Sequence, residues 1–122
     1  MTPRQAFITL CGDTVAPRFD MTAEGLILPL ETEDSAQGLA KERGRHLVLA
    51  HTSSEELCDV ITRANITTVV CGGIEEDYYH YLRWKRIEVI SDVMGPLDAV
   101  LTRLAEGKLR AGDCLFAQRK SG

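Results

Sequence analysis

The chain has 122 residues, 44% of them hydrophobic and 26% charged, enough to bury one core without disulfide or metal staples. Its formal charge of -4 and its scattered Lys and Arg residues argue against a broad nucleic-acid surface, which needs clustered cations to neutralise phosphates. No run approaches the roughly 18 apolar residues of a membrane span, and Met1-Thr2-Pro3-Arg4-Gln5 opens no apolar leader, so the expected compartment is the cytoplasm.

Ala6-Phe7-Ile8-Thr9-Leu10, stopped by Cys11-Gly12-Asp13, predicts a first, central strand. Asp13 to Asp20 reads as a loop broken by Pro17, and Gly25 to Leu30 as a second strand whose Pro29 cannot donate to a ladder. Glu31 to Arg45 is polar and carries Gly38 and Gly44, the pattern of a long loop; His46 to Ala50 is a third strand. Thr52 or Ser53 followed by Glu55 or Glu56 forms a capping box. Leu57, Val60, Ile61 and Ala64 then recur on one helical face, and Asn65 is a suitable stop.

Strand Ile66 to Cys71 leads into Gly72-Gly73-Ile74, then a helix over Glu75 to Trp84 whose first acidic residues suit a helix N-terminus. Tyr79 and Leu82 are expected to face its core side. Ile87 to Ile90 is a last strand. A last helix starts near Pro96, buries Leu97, Val100, Leu101 and Leu104, and ends at Gly107. The order β-β-β-α-β-α-β-α combines antiparallel meanders with parallel crossovers, which a mixed five-stranded sheet covered by helices on both faces satisfies: a three-layer α/β/α architecture. Residues 1–109 form the expected domain and 110–122 a short tail docked by Leu115 and Phe116.

The four cysteines, Cys11, Cys58, Cys71 and Cys114, contain no Cys-x-x-Cys pair, so zinc-ribbon and thioredoxin-type readings lose their support. A free cysteine is often only a small buried hydrophobe, and Cys58 inside a helix pattern fits that description. Cys71 is different in position: it ends a strand at a glycine turn, on the rim where open α/β sheets bind ligands.

Three stretches together resemble the dinitrogenase iron-molybdenum cofactor biosynthesis family, which includes NifX-type proteins and the C-terminal domain of NifB. They are Gly12-Asp13-Thr14-Val15-Ala16-Pro17-Arg18-Phe19, then Cys71-Gly72-Gly73-Ile74, then Ile87-Glu88-Val89 with Leu97 to Leu104 and Ala105-Glu106-Gly107-Lys108-Leu109. The resemblance spans Ala6 to Leu109. It departs from the family pattern at Asp20 and Arg86, where glycine is common, and in lacking a histidine-rich loop between Glu31 and Arg45. It implies a ribonuclease-H-like motif of strand order 3-2-1-4-5 with strand 2 antiparallel. It also implies binding, carriage or insertion of an iron-sulfur or molybdenum-containing cluster without catalysis.

On that order Cys11 and Cys71 end adjacent parallel strands, with His51 on the same rim further along the sheet. Thiolates suit iron-sulfur clusters. The implied site has Cys11, Cys71 and His51 as metal ligands, Arg18 and Phe19 in the neighbouring loop, Arg18 neutralising an anionic cluster, and backbone N–H groups at Gly72 and Gly73 donating to it. Two thiols fall short of the four ligands of a permanent cluster, so the expected site is exchangeable, or completed by a second copy in a weak homo-oligomer, with cluster-assembly proteins as partners. Two alternatives stand beside it. One is a metal-free interaction or regulatory module. The other is a metal-dependent nuclease on the same frame, for which only Asp13 and Asp92 fall near strand ends where several carboxylates are needed.

Overall fold

The computed structural model describes residues 4–30 and 44–116. The loop expected between Glu31 and Arg45 falls largely outside the described residues, as do the first three positions and the end of the tail. The elements are β1 (Gln5–Cys11), β2 (Thr14–Val15), β3 (Glu24–Pro29), β4 (Arg45–Val48), α1 (Ser54–Arg63), β5 (Thr68–Val70), α2 (Glu76–Trp84), β6 (Glu88–Ile90) and α3 (Leu97–Ala105). The strands form a mixed sheet of order β4-β3-β1-β5-β6, with the two-residue β2 pairing β1 off that path. β3 runs antiparallel to β1 and β4 antiparallel to β3, whereas β5 and β6 run parallel to β1. Counting the five long-path strands in sequence, this is the expected 3-2-1-4-5 with strand 2 reversed. β2 was not anticipated, because two residues are too few to show a period.

Side chains alternate across a pleated strand, and that period sorts the core into two slabs. Phe7, Ile27, Val69 and Val89 pack with Leu57 and Ile61 of α1 and Leu82 of α2. Ile8, Leu26, Leu28, Val70 and Ile90 pack with Leu97, Val100 and Leu101 of α3. The sheet therefore carries α1 and α2 on one face and α3 on the other. Each fully buried Leu, Ile or Phe contributes about 1.5–3 kcal/mol relative to exposure. Tyr79 packs partly buried against the first slab, as expected, and Tyr78 joins it. Among the described residues no helix is long and apolar enough to cross a membrane.

Local chemistry explains the helix ends. Ser53 caps α1, its hydroxyl accepting from the Glu56 N–H at 3.2 Å. Pro96 sits one position earlier than expected, at the cap of α3, with Leu97 as the first helical residue. All three helices close through one geometry: the residue after the cap takes a left-handed conformation at Asn65 (φ 59), Arg86 (φ 67) and Gly107 (φ 70). The next N–H then reaches back to Ile61, Leu82 and Arg103 respectively at 3.2, 3.0 and 2.9 Å, the Schellman pattern. Beyond α3, residues of the tail return to the loop after β6, where Met94 and Cys114 form a parallel bridge, and Leu115 packs on the α3 slab.

Candidate functional site

The rim at the C-terminal ends of β1 and β5 is built from three segments, residues 12–19, 71–75 and 91–96. Gly12 turns the chain after Cys11 with φ 65. The first segment is then tied on both sides. Towards α3, the Val15 N–H donates to the Gly95 carbonyl at 3.0 Å and the Leu97 N–H to the Asp13 carbonyl at 2.7 Å. Towards the glycine turn, the Gly73 N–H donates to the Pro17 carbonyl at 2.9 Å and the Phe19 N–H to the Gly73 carbonyl at 2.7 Å.

Gly72 makes that pairing possible. A Cβ there would lie 2.3 Å from the Pro17 carbonyl oxygen and 2.4 Å from that of Ala16, and backbone cannot swing aside as a long side chain can. Gly73 has more room, its nearest neighbour being the Pro17 oxygen at 3.7 Å. The two glycines thus serve a backbone-to-backbone seam. The Gly73 N–H expected to donate to a ligand is already committed to Pro17.

The thiols do not form the expected pair. Cys11 is exposed and Cys71 is buried. Cys71 shares the strand face of Val69, so the alternation that puts Val69 under α1 and α2 carries its sulfur into the same slab. Burial, with a smaller contribution from the Asp92 carboxylate, pushes the Cys71 thiol up from 9.0 to about 12. A neutral thiol in a dry core is a packing group, not a ligand.

The other expected site residues are also otherwise engaged. Arg18 is exposed, but its Nε and Nη2 hold Asp20 Oδ1 and Oδ2 at 3.0 and 2.7 Å, a bidentate pair that cancels its charge locally. Asp20, where glycine is common in the family pattern, supplies that partner. Phe19 is fully buried, its ring 6.4 Å from that of Tyr78, and it anchors the loop rather than meeting a ligand. His51 lies past β4, two strands from β1, with Nε2 3.0 Å from Glu56 Oε1. Among the described residues no three His, Cys, Asp or Glu side chains group so as to hold a metal ion. The donor set does not fit a resident iron-sulfur cluster, nor the paired metals of a nuclease.

Asp92, read in the sequence only as a carboxylate near a strand end, adopts φ 58 and its carboxyl oxygen would lie 4.0 Å from a Cβ on Gly73, so the rim carries an acid beside the glycine turn, a neighbour the sequence did not indicate. One feature went unread in the sequence, an acidic groove between α1 and α2, signalled by Glu55 and Asp59 one turn apart.

Neither a family model nor a curated protein matches the chain. Solved structures do. MJ0327 from Methanocaldococcus jannaschii, provisionally named a dinitrogenase, aligns at TM-score 0.65 and 20% identity over 89% of this chain and 94% of its own. TM1290 from Thermotoga, provisionally named a NifB protein, aligns at 0.63 and 13% identity over 97% and 98%. The apo form of the orange protein from Desulfovibrio gigas aligns at 0.65 and 18% over 88% and 91%. The chain therefore has the fold of NifB-like and dinitrogenase-like proteins, the kind its sequence resembles.

Proposed function

We propose that the protein is a non-catalytic accessory protein of metallocluster handling, which takes an iron-sulfur or molybdenum-containing cluster only as transient cargo. One observation carries the reading: on a fold shared with proteins named for NifB, dinitrogenase and the orange protein, the central strand ends in an exposed thiol, Cys11. The loop beside it is pinned at both sides by backbone bonds, so Cys11 is presented from a rigid edge. An accessible single thiolate gives weak, exchangeable ligation suited to hand-over. The buried Cys71 has no part in it.

A metal-free interaction module is the second reading, favoured by the Cys71 burial and by the Arg18–Asp20 pair, which leaves the rim little positive charge for an anion. Anaerobic reconstitution with iron, sulfide and molybdate, followed by metal analysis and visible spectra, separates the two. The carrier reading expects substoichiometric colour that desalting strips and that Cys11→Ser abolishes, while Cys71→Ala retains it. No uptake under any condition establishes the metal-free module instead.

A further inference from the structure

Between α1 and α2 runs a groove of about 510 Å³, within the usual size of ligand sites. Glu55 and Asp59 line it from α1, and Glu75, Asp77, Tyr78 and Tyr81 from the α2 side; among the described residues no Lys or Arg lines it. Asp59 pairs with Arg63 at 3.3 Å. None of the ion pairs formed among the described residues includes Glu55, Glu75 or Asp77.

The aromatic side of the groove continues outward. Tyr78, Tyr81 and Trp84 follow at three-residue spacing on α2, and Trp84 is 75% exposed. The chain's own Lys85 ammonium already rests on this stripe, 5.8 Å from the Tyr81 ring centre and 5.2 Å from that of Trp84, within cation–π range. It occupies the end of the stripe as a partner's cation would occupy the rest. The Tyr78 hydroxyl is held up from its ordinary value chiefly by desolvation, with smaller contributions from Glu55, Glu75, Cys58 and Asp77. The carboxylates are spread out and do not group around one point where a metal ion could sit. Separated acids beside aromatic rings match several cations carried on one chain.

We propose that this groove is the docking site for a basic, Lys- or Arg-bearing segment of a partner protein, its cations held by Glu55, Glu75 and Asp77 beside the Tyr78 ring. The surface is distinct from the Cys11 edge and stands whether or not that edge carries metal. Such docking is steered by charge and weakens with salt.

The test titrates the full chain with a capped hexa-arginine peptide at about 20 mM salt, following emission of the single tryptophan and amide NMR shifts. Saturable binding is expected, with shifts concentrated at Glu55, Asp59, Asp77 and Tyr81. Affinity should fall about tenfold or more in Glu55→Gln/Asp77→Asn and less than about twofold in Glu88→Gln/Glu106→Gln, which removes the same charge elsewhere. Equal losses in both variants, shifts scattered away from the groove, or no saturation by about 1 mM peptide would overturn the assignment. The wild-type shift map decides the matter even if the groove variant folds poorly. Binding of spermidine but not of the peptide would also overturn it, in favour of a small polyamine.

Discussion

Gly72 and Gly73 are adjacent and chemically identical, yet their surroundings give opposite expectations. Alanine at Gly72 would drive a Cβ into the Pro17 and Ala16 carbonyls at 2.3 and 2.4 Å, forcing the seam apart at about 2–3 kcal/mol. Alanine at Gly73 meets nothing nearer than 3.7 Å and should change stability by no more than about 0.5 kcal/mol. Chemical denaturation of the two variants checks this; equal effects would mean that the seam is not what requires glycine. The sequence marked the pair as a turn at a strand end, with N–H groups free to meet something. It was silent on what approaches, because the partner backbone lies more than fifty residues upstream. Arg18 shows the same limit: a cation in a rim loop was readable, but its capture by Asp20 depends on the loop's folded path.

At the scale of elements, the helix ends connect local sequence to stability. Asn65 and Gly107 are residues that tolerate a left-handed conformation, while Arg86 adopts φ 67 against its steric preference. The cost of a left-handed non-glycine residue is about 1–2 kcal/mol, partly offset by glycine's greater unfolded-state entropy. Arg86→Gly is therefore expected to stabilise the fold by about 0.5–1 kcal/mol, raising Tm by a few degrees. A lower Tm would show that Arg86 makes compensating contacts. The stripes of α1 and α3 were legible because a 3.6-residue period is written directly into the chain. β2 was not, since two residues are too few to carry a pattern, whereas the docking of Leu115 on the α3 slab was expected from its apolar side chain in a polar tail.

For the whole molecule, the buried thiol ties stability to alkaline pH. Cys71 ionises near 9.0 when unfolded and near 12 in the fold. Its contribution is fully present below pH 9 and is lost as pH rises towards the folded value, by at most about 1.4 kcal/mol per pH unit. Urea unfolding of the native chain and of Cys71→Ala between pH 7.5 and 10.5 should show a shallower alkaline decline in the variant; parallel declines would mean that the thiol is not linked to folding. In the same protein Cys11 should be alkylated readily under native conditions while Cys71 reacts only after unfolding. The amino-acid sequence by itself determined the order of the longer elements, the helix faces and the sheet class, because those follow from periodicities of two and 3.6 residues and from capping chemistry close along the chain. Only the tertiary structure decided which rim groups reach solvent. Whether a thiol at a strand end becomes ligand or core depends on which face the pleat turns it to and what another part of the chain lays over it.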